Sequence, residues 1–334
     1  MPDARCYVLG AGFSHVCGLP LAKNLTEVVL TDILNDQKAI RPDLWDAYRD
    51  FVCSLFPSCD CQARWPHIED LISELDQVVE SKRRPNIGVD GTAEHLKECL
   101  LKRLRTDLIR EGLHAPEVEK KLVRDFTRQV IAENASVVSF NWDLLLENAC
   151  AEVSRGCNYQ TPSAGALLLT KLHGSLNLVR VSRADYADLA SFVNIRNLEI
   201  EWESPCEVIL RAIDPEDSAN RTQHPFGENE QVFIQPAARK EYGHPWIEAQ
   251  WRQAAHALSG AREIVVIGYS FPESDVRSYS LLRQSATCDV GGITRRLVVV
   301  DPCADEVASR ISKQLSADIE RISHGWTEWF QSDR

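Results

Sequence analysis

Short runs of β-branched and apolar residues punctuate this chain, at Cys6–Leu9, Ser136–Phe140, Leu167–Leu172, Glu263–Ile267 and Leu297–Val300. Each ends in Gly, Asn, Asp or His and leads into a helical pattern. Runs as continuous as EIVVIG and RLVVVD leave no face for water, so they read as strands buried on both sides of a parallel sheet. After the first run, Leu21, Leu25, Val28, Val29 and Ile33 recur at helical spacing, with Pro20 suited to a first-turn position. After the last, ADEVASRISKQL reads as another helix. Strand alternating with helix predicts an α/β fold, a Rossmann-like doubly wound parallel sheet. Between about residues 34 and 134 the strand signal stops. There Ile68, Leu71, Ile72, Leu75, Val78 and Val79 share one helical face. The expected plan is one domain over 1–334, with a Rossmann-like core at 1–33 and 135–334 and an inserted helical subdomain at about 34–134. Residues 81–92 read as an exposed loop, and about 183–235 as an irregular region of weak periodicity.

With 334 residues, 44% hydrophobic and 26% charged, the chain can bury a core of this size. No run approaches the ~18 apolar residues that span a bilayer, so no membrane segment is expected. The N-terminus enters a strand with no basic region or cleavage site, so no signal peptide is expected and the location is read as cytoplasmic. Forty-nine acidic against 37 basic side chains give a net charge of −12, which repels phosphate backbones and argues against direct nucleic-acid binding. Eleven scattered cysteines fit reduced thiols better than a disulfide framework. Cys53, Cys59 and Cys61 cluster but offer no Cys-x-x-Cys pair, so no metal is expected.

Chemistry-bearing residues gather where the strands end. Gly10-Ala11-Gly12 follows the first run, with a helix expected near Leu19-Pro20. Glycines there let a backbone approach a pyrophosphate, although a tight turn packing helix on sheet explains two glycines as well. His15 stands where a dehydrogenase fingerprint needs its third glycine, so a common Rossmann dehydrogenase fits badly. Asn141 and Asp143 follow the second run, and both residue types also cap helices. His173 ends the third; Gly268 and Ser270 end the fourth, with Asp275 opening a helix; Asp301 ends the fifth. The carboxyl edge of an open α/β sheet is where ligands bind, so one nucleotide crevice is the favoured reading.

The ordered segments GAGFSHVCGLP, HIEDLISEL, SFNWD, KLHGSLN, FIQPAARK followed by Trp251, IGYSFPESD and VVVDP span residues 10–302. In that order they resemble the sirtuin-like NAD-binding family, in its zinc-less bacterial branch. The resemblance implies that Gly10, Ala11, Gly12 and Ser14 form the loop over the NAD⁺ phosphates. It implies that Asn141 and Asp143 face the nicotinamide ribose and that His173 is catalytic. Gly268, Tyr269 and Ser270 would meet the phosphate and adenosine half, and Asp301 the adenine ribose, where Asn is commoner. Protein deacylases of the family carry Gly-Ile-Pro-Asp-Phe-Arg after the glycine loop. Here the run is Gly18-Leu19-Pro20-Leu21-Ala22-Lys23, and the four-cysteine zinc module and the Phe-Gly-Glu peptide clamp are missing too.

Members with these losses are NAD⁺ hydrolases of anti-phage defence, which stop phage replication by depleting the host's NAD⁺ (abortive infection). The implied activity is therefore an NADase releasing nicotinamide and ADP-ribose. Its expected setting is a homo-oligomer controlled by assembly or by a separate subunit such as a hexameric DNA-translocase ATPase. Asn141 would hold the ribose hydroxyls or the attacking water, His173 would be general base toward either, and Asp143 would orient the ribose or the Asn141 loop. The competing readings are a catalytically quiet sensor of NAD⁺ or an ADP-ribose derivative, and a protein deacylase or ADP-ribosyltransferase.

Overall fold

The computed structural model describes residues 5–40, 42–57, 65–81, 92–159, 165–184, 186, 198–212, 231–237, 240, 242–273, 275–286, 295–315 and 318–332. Most of the expected 81–92 loop, and Cys59 and Cys61, lie outside them. The chain divides into two compact units, one of Met1–Leu19, Gly112–Leu178 and Tyr242–Arg334, the other of Pro20–Glu111 and Val179–Glu241.

The first unit carries β1 (Arg5–Leu9), α1 (Ala11–His15) and, from the second unit's sequence, resumes after α2 (Ala22–Ile40), α3 (Pro42–Leu55), α4 (Ile68–Ser81) and most of α5 (Thr92–His114). It continues with α6 (Glu117–Ala132), β2 (Ser136–Ser139), α7 (Leu145–Glu152), β3 (Cys157–Asn158) and β4 (Leu167–Lys171). The chain leaves it within β5 (Gly174–Ser182), and the second unit then holds β6 (Leu198–Glu203), β7 (Glu207–Ala212) and β8 (Gln231–Phe233). Returning, the first unit adds α8 (Pro245–Gly260), β9 (Glu263–Ile267), α9 (Val276–Ala286), β10 (Arg296–Val300), α10 (Ala304–Ser312), β11 (Ile319–Ile322) and α11 (Trp326–Ser332).

Seven strands form one sheet in the order β11-β10-β9-β1-β2-β4-β3. Every pairing in it is parallel. The chain winds outward from β1 through β2 to β4, then starts again at β9 on β1's other edge and winds to β11. This is the doubly wound α/β fold, flanked by helices. The apolar runs are where periodicity puts them: Val265, Val266, Ile267 and Val299 are completely buried, as strands covered on both faces must be.

The glycine turn departs from expectation. The helix expected near Leu19-Pro20 is preceded by another: Gly10 leads straight into the five-residue α1, and the next helix opens at Ala22. Phe13 anchors α1, stacked on Trp326 with ring centroids 4.6 Å apart and packed on Phe126 of α6. Its carbonyl accepts the Trp326 indole N–H at 3.0 Å. α6 belongs to this unit and covers the sheet, with Phe126 also edge-on to Tyr7 of β1.

In the second unit α2 to α5 bury one face each, among them Leu25 and Val29, Tyr48 and Val52, Leu71 and Leu75, and Leu96 and Leu100. The described residues of the 183–235 stretch include three strands, β6, β7 and β8, which join β5 in a four-stranded sheet of order β6-β7-β5-β8. β6 and β7 are antiparallel with a register shift between Ile200 and Trp202, and Arg211 Nη2 meets Glu199 at 2.7 Å across the pair. That irregularity breaks the period-2 pattern on which a strand is read.

Thiol accessibility offers a direct check on the core. Burial pushes the Cys6 thiol up to about 12. Burial, and then the nearby Asp143 and Glu119 charges, does the same to Cys17. Cys206 and Cys303 are exposed. A brief iodoacetamide treatment at neutral pH is expected to label Cys206 and Cys303 and to spare Cys6 and Cys17 until the protein is unfolded. Mass spectrometry reads the outcome; native labelling of Cys17 as fast as Cys303 contradicts this packing.

Candidate active site

The last rungs of the parallel ladder set the stage. Gly10 N donates to Ile267 O at 3.0 Å, Gly268 N to Val300 O at 3.2 Å and Asp301 N to Ile322 O at 3.1 Å. On the other side of β1, Phe140 N reaches Leu9 O and Leu172 N reaches Ser139 O, each at 2.9 Å. Gly10, Asn141, His173, Gly268 and Asp301 therefore stand at or one residue beyond the last rung, on one carboxyl edge, with the winding direction switching between β1 and β9. Such a switch point is where an open α/β sheet has room for a ligand.

Across that switch point the two glycine turns interlock. Gly12 N donates to Gly268 O at 2.9 Å. A Cβ on Gly10 would stand 2.5 Å from Tyr269 Cα, and one on Gly12 2.7 Å from Gly268 Cα. Gly268 itself has φ +60°, and its Cβ would stand 2.5 Å from the Gly12 backbone and the Phe13 amide. The glycines are thus demanded by backbone packing, and the amides of Gly10, Gly12 and Gly268 are all spent on carbonyls of the chain. The packing explanation accounts for them in full.

Asn141 is pinned beside this interlock. Its side chain donates to Gly10 O at 2.8 Å and to Ser14 Oγ at 2.9 Å. A carbonyl only accepts, so the amide nitrogen must face Gly10, and the orientation of Asn141 is fixed with Oδ1 as its unspent acceptor. Ser14 passes the network on, donating to Asp143 Oδ2 at 2.6 Å. Asp143 Oδ1 accepts the Leu145 amide at 3.1 Å at the start of α7. Ser14 and Asp143 are both buried, with their polar atoms engaged inside the chain. They brace Asn141 and the helix start. Below them the buried Lys171 donates to Asp143 O at 2.5 Å and lies 3.2 Å from Glu147 Oε1, so the whole turn rests on a paired internal charge.

His173 is brought to the same place by the neighbouring strand. Its ring meets the edge of Phe140, centroids 5.3 Å apart, and lies 6.5 Å from the Trp142 ring. The carbonyl before it, Leu172 O, accepts Trp251 Nε1 at 3.0 Å, which ties the strand end to α8. Behind the ring, Asp275 Oδ2 stands 3.4 Å from His173 Nε2 and accepts the Tyr269 hydroxyl at 2.6 Å. The sequence showed Asp275 only as a helix opener; nothing in the run GYSFPESD signals that its carboxylate turns inward toward a histidine just past the end of β4.

The other residues singled out fall along this edge with different degrees of commitment. The Tyr269 ring is buried, stacked on Phe140 at 3.9 Å and 5°, so its side chain belongs to the interior behind His173. Burial, and then the Asp275 charge, hold its hydroxyl well above the ordinary tyrosine range. Ala11, next to the interlock, is half-buried. Ser270 is exposed, and its carbonyl accepts Arg310 Nη1 at 2.8 Å, which sets a cation at this end of the edge. Asp301 Oδ1 accepts the Cys303 amide at 2.7 Å and so shapes the turn into α10. Among the described residues, no group of His, Cys, Asp and Glu is placed to hold a metal ion. No described helix is long and apolar enough to cross a membrane.

No protein-family model and no curated protein matches the chain. Among solved structures it is similar to a Sir2 homologue mutant in complex with ADP-ribose, at 14% identity over 99% of this chain and 90% of that one, with a TM-score of 0.43. It is similar to a Sir2 homologue mutant in complex with 2′-O-acetyl-ADP-ribose, at 15% identity over 98% and 89%, with a TM-score of 0.45. A Sir2 homologue–NAD complex gives 14% identity over 99% and 88%, with a TM-score of 0.43.

Proposed function

We propose that this chain is a sirtuin-like NAD⁺ hydrolase working at the Asn141–His173 edge. The observation that carries the reading is the pinned Asn141. Its two donors are spent on Gly10 O and Ser14 Oγ, which leaves its acceptor oxygen in a fixed direction, and the residue before it, Phe140, packs against the His173 ring. A fixed acceptor on the same strand-end edge as a base suits the orienting of a water or a ribose hydroxyl. The ordered motifs from residue 10 to 302 support the substrate class.

The step balances without a further reactant. The C1′–N1 bond of the nicotinamide ribose breaks with its electron pair going to the ring nitrogen, and nicotinamide leaves neutral. Water oxygen bonds C1′ of the oxocarbenium-like centre, and its proton passes to His173 and then to solvent. ADP-ribose, nicotinamide and one proton result. Asn141 orients the water or the ribose hydroxyls, while Asp143 and Ser14 hold Asn141 in place. With three glycine amides used inside the chain, the phosphates would be met by the Ala11 amide and by the cation of Arg310 near Ser270. Asp301 Oδ2 is the carboxylate oxygen for the adenine ribose. Gly10, Gly12 and Gly268 shape the edge, and Tyr269 supports His173.

The finer reading places the chain in the zinc-less bacterial branch of anti-phage NADases. It would act as a cytoplasmic homo-oligomer under a separate regulatory subunit, of which a hexameric DNA-translocase ATPase is the working example. Its net charge of −12 suits leaving nucleic-acid contact to that partner. Incubating the purified protein with NAD⁺ and separating products by chromatography tests the reaction. Equal amounts of nicotinamide and free ADP-ribose are expected. NAD⁺ binding without turnover would favour the sensor, and a modified protein a transferase; either overturns the hydrolase.

A further inference from the structure

Two tyrosine hydroxyls and one imidazole converge on a single buried carboxylate. Asp275 is 1% exposed, with Oδ2 3.4 Å from His173 Nε2. Tyr269 donates to Oδ2 at 2.6 Å and Tyr242 to Oδ1 at 3.1 Å. Burial first, and then Asp275 itself, keep the Tyr269 hydroxyl protonated, so it can serve Asp275 only as a donor. A cation lies behind this group and is already answered. Arg277 sits over the Tyr242 ring at 4.8 Å and the Trp251 ring at 4.5 Å, and makes two hydrogen bonds to Glu248 at 2.9 and 2.8 Å. One oxygen of the Asp275 carboxylate faces the histidine.

His173 Nε2 is fully buried and makes no hydrogen bond. The carboxylate oxygen is 3.4 Å away, longer than an ordinary N–H···O bond. Catalytic contacts are often this long before substrate tightens them. An ionised carboxylate only accepts, so Nε2 can pair with it only by carrying the proton, and a neutral ring then has its lone pair on Nδ1.

We propose that Asp275, held in place by Tyr242 and Tyr269, is the positioning residue of His173: it fixes the Nε2–H tautomer and leaves Nδ1 as the basic nitrogen toward the substrate. This rests on the reading of His173 as general base. The logic is that of the histidine–carboxylate pair in serine proteases, where replacing the carboxylate by its amide leaves the geometry intact but inverts the tautomer and lowers kcat about 10⁴-fold.

The test is two-bond ¹H–¹⁵N correlation spectroscopy on histidine-labelled protein, with the His173 signals identified by their loss in His173→Gln. Wild-type His173 is expected as Nε2–H when neutral. In Asp275→Asn the amide can donate to the ring, and the tautomer is expected to switch to Nδ1–H. Turnover of NAD⁺ should then fall about 10²–10⁴-fold with KM nearly unchanged. Wild-type His173 found as Nδ1–H, or an unchanged tautomer in Asp275→Asn, overturns the proposal. The wild-type spectrum decides even where Asp275→Asn fails to fold. Should the wild type leave NAD⁺ intact yet show Nε2–H, the hydrolase reading has failed and the pairing has not.

Discussion

His173→Ala and Asn141→Ala are each expected to lower NAD⁺ turnover by about 10²–10⁴-fold, the range a positioned general base or its water-orienting partner supplies. In the first, the imidazole against Phe140 is lost while the strand end stays tied through Leu172 O to Trp251. His173→Gln keeps much of the side-chain volume beside Phe140 and separates lost chemistry from lost packing. In the second, the acceptor oxygen goes, and with it two bonds that join Gly10 to Ser14. Because Asn141 also braces the Ser14–Asp143 pair, Asn141→Ala should lower the melting point by more than His173→Gln does. Steady-state nicotinamide release and a thermal melt of each variant check both statements. His173→Gln with wild-type kcat removes His173 from the mechanism.

Gly268→Val is expected to destabilise the protein by at least about 4 kcal/mol and to yield little folded material. Two independent costs meet at this position. A β-branched residue at φ +60° is a backbone outlier in any context. Its Cβ would also stand 2.5 Å from Gly12 Cα and Phe13 N, atoms that are backbone and cannot rotate away. Making room would separate the β1 and β9 turns and break the bonds from Gly10 N to Ile267 O and from Gly12 N to Gly268 O. Gly268→Ala should fall between this and wild type. Gly243→Ala, where an added Cβ meets nothing within 4 Å, should be nearly neutral. Circular dichroism melts rank the three, and a Gly268→Val protein melting with wild type contradicts the interlock.

What the sequence made legible follows from what each signal measures. Continuous apolar runs have one low-energy setting in water-soluble α/β chains, so the five strands stood within a residue of their places, and with them the strand-end residues. β11 was missed because Ile319–Ile322 carries Glu320 and Arg321 on an edge strand, where period and apolarity both fade. The β6–β7 pair was missed because a register shift interrupts its alternation. α1 was missed because five residues are too few to show helical periodicity.

The site divides the same way. Asn141 and His173 could be named from where their strands stop. The link through Ser14 could not: its side chain meets Asp143 over 129 positions of sequence, and only the fold reveals that it joins Asp143 to Asn141. Asp275 is the clearest case, since a helix-opening Asp ordinarily turns back on its own amides, whereas here both oxygens accept tyrosine hydroxyls and one faces His173.

The most direct test of the central claim is hydrolysis of NAD⁺ by the purified protein in H₂¹⁸O, with the products weighed by mass spectrometry. One ¹⁸O in ADP-ribose and none in nicotinamide is the predicted result, because water attacks C1′ as the neutral base departs. Absence of nicotinamide release, or ADP-ribose carried on protein with no ¹⁸O gained, would contradict the account.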